Sequence, residues 1–197
     1  MQNSFGYCYL NGIGTNRNET KAFEWYLKSA ENGDATAQYK VVGYHYYLGI
    51  GTDRNNIKAF KWFFKSAENG NVIAQYNLGG FYLNGVGTDK NEIIAFEWYL
   101  KSAENGDVTA QYKVGHYYYY GIATDVNIRK AFKWFFKSAE NGNAKSQYNV
   151  GLCYEEGIGT NKNEAKAFEW YLKSAKNGFA MAQSKVGYRN KKYNKDR

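Results

Sequence analysis

Residues 75–110 read QYNLGGFYLNGVGTDKNEIIAFEWYLKSAENGDVTA, two helical patterns joined by a glycine turn. The first carries Ala74, Leu78, Gly79 and Tyr82 at i, i+4, i+5 and i+8, one stripe of a 3.6-residue helix running from about Val72 to Asn84. Gly85 and Gly87 end it. The second carries Ala95, Trp98, Tyr99, Ser102 and Ala103 and stops at Asn105-Gly106, where a left-handed glycine is expected after the helix. Asn91, four residues before Ala95, is placed to cap this second helix, and Asp107 can cap the next first helix.

This unit recurs along the chain. Trp25, Trp62, Trp98, Trp134 and Trp170 follow one another at intervals of 37, 36, 36 and 36 residues. The capping residues recur with them, as Asn18, Asn55, Asn91, Asn127 and Asn163 before the second helices and Asp34, Asn71, Asp107 and Asn143 before the first helices. A fixed period of this length marks a two-helix unit that cannot bury its apolar face alone, so neighbours stack into a continuous core. Such an architecture argues for binding rather than chemistry. The long interval arises because QYKVVG, at 38–43, has one Val more than QYKVG at 111–115. One inserted residue turns a helix by about 100°, so a π-bulge or local overwinding is predicted near Val41 and Val42.

Glycine stands in the middle of each first helix, at Gly6, Gly43, Gly79, Gly115, Gly151 and Gly187. Each costs about 1 kcal/mol relative to alanine in a helix. Close approach of the two helices of a hairpin offsets that, with the Trp expected to fill the space beside the glycine. A second period overlies the first: odd units read FEWYLKSA and even units FKWFFKSA, so Glu24, Lys61, Glu97, Lys133 and Glu169 alternate at one position. They are read as a solvated face that could form a weak charge ladder.

The 197 residues, 44% hydrophobic and 19% aromatic, suffice for a sizeable core, and the absence of proline removes the strongest helix breaker. An all-α protein follows, as a single domain over 1–190 with units at 2–37, 38–74, 75–110, 111–146 and 147–182, a partial unit at 183–190, and a basic polar tail at 191–197. No stretch approaches the roughly 18 apolar residues of a membrane span, and no signal-peptide pattern opens the chain. Cys8 and Cys153 lie four units apart, which disfavours a disulfide between them. Two free thiols point to a reducing, cytoplasmic setting. The net charge of +8 is concentrated in residues 176–197, where seven Lys/Arg face one Asp, so nucleic-acid binding through that segment ranks as a rival reading.

The motifs resemble the Sel1-like repeat family, a relative of the tetratricopeptide repeats. Gln75, Tyr76, Leu78, Gly79, Tyr82, Gly85 and Gly87 fit the family pattern, as do Ala95, Trp98, Tyr99 and Gly106; Asn replaces the family's capping Asp. The resemblance implies a right-handed α/α superhelix, a solenoid of about five antiparallel helix pairs plus a terminal helix, whose first helices line a concave protein-binding surface. It also implies roles in assembling signalling complexes, beside kinase domains, or in quality control at the endoplasmic reticulum. Cysteine-rich members linked to β-lactam hydrolysis carry a disulfide in each repeat, and those cysteines are missing here. At the ends, Gln2 aligns inside a first helix and Phe179 replaces the residue that caps one, so neighbouring repeats or a docked domain are expected to cover them.

Catalytic chemistry finds little footing. His45 and His116 sit at different offsets from their glycines and are read as surface histidines rather than a metal pair, and no phosphate-cradling loop occurs. No cofactor, metal or small-molecule substrate is expected. Recognition is better placed. One and five residues after each glycine the helix points most nearly away from its core stripe, and two and four residues after lie beside that direction. These positions are unrepeated and rich in tyrosine, a residue common in interface hot spots. They nominate Tyr7, Tyr44, His45, Tyr47, Leu48, Phe81, Asn84, His116, Tyr117, Tyr119, Tyr120, Glu155 and Glu156 as the surface for a protein or peptide partner, with the two glutamates favouring a basic feature on it.

Overall fold

The computed structural model describes residues 2–195, with side chains described outside 40–42 and 190–195. Helix is the only regular structure among the described residues. The chain divides between Asn105 and Gly106 into two compact units.

The first unit holds α1 (Gln2–Asn11), α2 (Glu19–Glu31), a π-helix (Ala37–Gly43) that continues into α3 (Tyr44–Leu48), α4 (Asn56–Glu68), α5 (Val72–Asn84) and α6 (Glu92–Glu104). The second holds α7 (Val108–Tyr120), α8 (Ile128–Glu140), α9 (Ala144–Glu156), α10 (Glu164–Lys176) and α11 (Ala180–Lys195). The π-helix lies where the extra valine predicted it. Its wider turn absorbs the inserted residue, and the flanking register survives: Gln38 still reaches the Ala30 carbonyl at 2.9 Å, and Gly43 still faces Phe63.

The predicted caps form in both units. Asn18, Asn55, Asn91, Asn127 and Asn163 accept backbone N–H groups in the first turn of the helix that follows. Their own N–H groups bond to Tyr9, Tyr46, Tyr82, Tyr118 and Tyr154 carbonyls near the end of the preceding helix, which pins each loop at both ends. Gly106 follows α6 at φ +99°, a conformation that suits glycine. One loop breaks the pattern: Ala123 holds φ +53° where the equivalent loops carry Gly51, Gly87 and Gly159.

The glycines do mark close helix approach, but the neighbouring ring is not tryptophan. A Cβ on Gly79 would lie 2.7 Å from the Tyr99 ring, on Gly115 2.6 Å from Phe135, and on Gly151 2.5 Å from Tyr171. The residue after each Trp occupies the hairpin seam. The Trp itself turns toward the preceding second helix, as Trp98 does on Phe64 at 5.8 Å and Trp170 on Phe136 at 5.4 Å. A lysine one turn later covers it, with Lys101 4.8 Å above Trp98 and Lys173 4.0 Å above Trp170. The reason is the 100° between successive helical residues: one faces the hairpin partner while its neighbour faces the preceding repeat.

Buried polar groups stitch successive repeats together. Gln75 donates to the Ala67 carbonyl at the end of α4 and accepts from Asn105, and Gln147 does the same with Ala139 and Asn177. Ser102 and Ser174 donate to the carbonyls of Val72 and Ala144 at the start of their own first helices. The repeated serines are thus structural, each tying a second helix to the backbone of the first helix of its own repeat.

The alternating charges are exposed. Among the described residues no ion pair joins Glu24, Lys61 and Glu97 in the first unit or Lys133 and Glu169 in the second. The last helix extends to Lys195, so the backbone of 191–195 is helical where a tail was expected. The side chains of that basic segment, and residues 196 and 197, lie outside the described residues. Among the described residues nothing lies within 4 Å of a Cβ built on Gly187.

Candidate functional site on the first helices

The nominated residues separate by their offset from the helix glycine. Tyr7, Leu48 and Tyr120 are 57%, 57% and 62% exposed, and Asn84 and Glu156 are exposed as well. Tyr44, Tyr47, His116, Tyr119 and Glu155 are half-buried. His45, Phe81 and Tyr117, all two residues after the glycine, are buried, and they are withdrawn from the surface.

The reason is visible in the first unit. His45 stacks on Phe23 and meets Tyr26 edge-on, both at 5.7 Å, and Phe81 meets Phe63 at 4.8 Å. Those rings belong to the second helix of the preceding repeat. A helical wheel drawn for one hairpin omits this neighbour, so it leaves the second position facing solvent. Stacking covers that position instead. His45 is therefore a core histidine, not a surface one: its Nδ1 lies 2.7 Å from the Ile50 carbonyl and donates to it. Burial pushes its pKa below the ordinary value, against opposing contributions from Ile50 and Glu19.

In the second unit the first helices α7 and α9 leave a cleft of about 290 Å³ between them. Phe135 and Cys153, 2% and 3% exposed, lie deepest. His116, Tyr119 and Tyr120 line it from α7; Asn149, Leu152 and Glu156 line it from α9, and Ile158 follows in the next loop. His116 is held by aromatic packing, with Tyr112 at 4.5 Å, Phe135 edge-on at 5.2 Å and Tyr120 stacked parallel at 5.6 Å. Burial lowers its pKa, and the positive charges of Lys113 and Lys145 lower it further. This histidine too is more enclosed than the sequence implied.

Glu155 does not face the cleft. Its carboxylate accepts from Lys185 Nζ at 2.6 Å and from the Tyr171 hydroxyl at 2.7 Å, bonds that tie α9 to α11 and α10. Partial burial works against its charge, but the hydrogen bonds from Lys185 and Tyr171 outweigh that and hold its pKa below the usual carboxylate value. Burial, and then the same carboxylate, raise the pKa of the Tyr171 phenol. The free acid at the cleft is Glu156, for which no ion pair is found among the described residues.

Cys153 and Cys8 are free thiols. Burial pushes Cys153 up to about 11, far from the range of a nucleophilic thiolate. Among the described residues no cluster of His, Cys, Asp or Glu is arranged to hold a metal ion. No helix among them is long and apolar enough to cross a membrane. The cleft residues that the sequence reading did not nominate are Phe135, Asn149, Leu152, Cys153 and Ile158. One signal was present: the second position after the glycine reads Cys8, His45, Phe81, Tyr117 and Cys153, so a small side chain stands at 153 where the three repeats before it carry rings.

Helix hairpins with capped loops, a glycine seam and an unrepeated first-helix face define a helical-repeat protein of the tetratricopeptide-like class. Within that class the chain belongs to the Sel1 repeat family, whose model matches residues 2–34, 35–71, 72–107, 108–143 and 144–179. A Sel1 repeat protein from Oxalobacter formigenes is 36% identical with a TM-score of 0.84, over 93% of this chain and 75% of that one. A protective antigen of uropathogenic Escherichia coli strains, described as having an SLR fold, is 31% identical with a TM-score of 0.88. The likeness covers 95% of this chain but spans only 40% of that antigen's. An immunity protein from Pseudomonas aeruginosa shares the fold at 23% identity and a TM-score of 0.51, over 92% of this chain and 67% of its own. None of the curated proteins matches the chain.

Proposed function

We propose that this protein is a non-catalytic scaffold or adaptor that binds a protein or peptide through the outward faces of its first helices. Sel1 repeat proteins generally mediate protein–protein interaction. The observation that carries the reading to this face is the contrast between a repeated frame and an unrepeated surface. The caps, glutamines, serines and glycines recur in register, whereas Tyr7, Leu48, Asn84, Tyr120 and Glu156 differ at one exposed position or beside it. Large exposed tyrosines offer contact area and a hydroxyl at low entropic cost. The setting we infer is regulatory assembly, in line with the signalling and quality-control roles that the family resemblance implies.

The test is affinity capture from a cell extract, comparing the protein with a Tyr119→Ser/Tyr120→Ser variant whose helicity is verified by circular dichroism. A partner retained by the first and lost by the second supports the assignment. Identical captures would move the site off the first helices.

A further inference from the structure

The protein contains an internal duplicate of its own cleft, in a filled form. The pair α3 and α5 corresponds to the pair α7 and α9, residue for residue from the helix glycine onward. Tyr47 matches Tyr119, Phe63 matches Phe135, Tyr44 matches His116, and Phe81 matches Cys153. The match is also geometric: Tyr44 meets Phe63 edge-on at 5.3 Å, and His116 meets Phe135 edge-on at 5.2 Å.

In the first unit the Phe81 ring occupies the space between these groups. It lies 4.8 Å from Phe63, nearly perpendicular, and 5.5 Å from Tyr47. In the second unit the Cys153 side chain ends far short of that place. Phe135 and Tyr119, the counterparts of the two rings that hold Phe81, line the resulting cleft instead. The two flanking rings are retained while the ring between them is not, and Tyr120 and Leu152 line the cleft where the first unit has Leu48 and Gly80. Glu156 stands at the mouth of this cleft, where the first unit has the uncharged Asn84, and no ion pair neutralises it among the described residues. Lys113 and Lys145 are near enough for their positive charges to act on His116.

We propose that the cleft between α7 and α9 receives an aromatic side chain of a partner peptide, in the place Phe81 fills in the first unit, with a lysine or arginine of that peptide paired to Glu156. The inference rests on the adaptor reading and names the chemistry of its partner. The ring gains edge-to-face contact with Phe135 and the tyrosine side of the cleft, and the cation meets the acid and the exposed face of Tyr120.

The probe is the capped tripeptide Ac-Lys-Phe-Lys-NH2, titrated to millimolar concentration and followed by NMR. The chain has two histidines, so His116 reports the cleft and His45, in the core of the first unit, serves as the control. The expected result is a saturating shift of the His116 ring signals with His45 unmoved. Ac-Lys-Ala-Lys-NH2 and Ac-Glu-Phe-Glu-NH2 should each bind at least fivefold more weakly. Cys153→Phe should fill the cleft from within and abolish the shift, while Cys153→Val should retain it. Should the phenylalanine variant fail to fold, Glu156→Lys, a surface change, carries the test by reversing the preference toward the glutamate peptide. No saturable shift at His116, equal binding of the alanine peptide, or an unchanged affinity in a folded Cys153→Phe variant would each overturn the proposal. If a partner captured from extract is lost with Tyr119→Ser/Tyr120→Ser but kept with Cys153→Phe, the first-helix face stands and the aromatic anchor falls. If neither variant alters the capture, both readings fall.

Discussion

Alanine at two equivalent glycines should change stability in opposite directions. On Gly151 a new Cβ would lie 2.5 Å from Tyr171 Cε1, whereas ordinary contact begins near 3.4 Å, so the ring must retreat by close to 1 Å. It has little room, being 2% exposed with its hydroxyl bonded to Glu155 at 2.7 Å. Overpacking of this kind costs about 1–3 kcal/mol. Disturbing a hydrogen bond to a charged group costs about 1.5–3 kcal/mol in full and part of that here. Against these stands a gain of about 1 kcal/mol from replacing glycine inside a helix. The net expectation for Gly151→Ala is a loss of about 2 kcal/mol. Gly187 occupies the same position in α11, with no described atom within 4 Å of the added carbon. There only the gain of about 1 kcal/mol remains.

Repeat arrays can open piecemeal, so amide hydrogen exchange resolved by helix is the suitable assay. Protection of α9 and α10 should fall about thirtyfold in Gly151→Ala, and protection of α11 should rise about fivefold in Gly187→Ala. Adding Tyr171→Val to Gly151→Ala should cost less than the two single changes together, because the smaller side chain vacates the contested space. If both alanines raised protection equally, the glycines would not be there for close helix approach.

Ala123→Gly should stabilise the second unit by about 0.5–1 kcal/mol, since removing strain at a positive φ outweighs the added freedom of the unfolded chain; a lowered urea midpoint would contradict it. Cys153, with its thiol pushed up to about 11, should resist iodoacetamide at pH 8 in the native protein and react once the protein is unfolded in urea. Rapid native alkylation, mapped by mass spectrometry, would show that the cleft floor is open to solvent. Both histidines have depressed folded-state pKa values, caused first by burial. The unfolded chain therefore binds protons more readily than the native one as pH falls below about 6.5, and the histidines should lower stability from there down through their folded values while contributing no slope well above 6.5. NMR titration of the two rings checks this, and a midpoint at or above 6.5 for either would refute the burial described.

The repeat period, the caps, the turn glycines and the extra residue near Val41 were all readable from residue order, because each is a local rule. A capping Asn acts on an N–H three residues away, and a left-handed glycine acts on its own backbone. An insertion shifts helical phase wherever the chain lies. The place of the π-helix belongs to this group too, since the intact stripes on both sides require one residue to be absorbed between them; of the two ways the sequence allowed, a π-bulge or local overwinding, the structure shows the π-helix.

What the tertiary structure decided is which neighbour each face meets. Tryptophan seemed the residue for the hairpin seam because it is the largest repeated ring, yet the tyrosine or phenylalanine after it takes that place and Trp serves the stack. His45 and Phe81 seemed outward-facing on a single hairpin and are buried by the repeat before them. Cys153 read as one of two free thiols; only its place in a cleft with Phe135 and Tyr119, against the example of Phe81 beside Phe63 and Tyr47, makes its smallness the origin of that cleft. Residue order determines local geometry through contacts a few positions apart. Exposure and cavity shape depend on contacts between groups some 30 residues apart, and those exist only once the helices are packed.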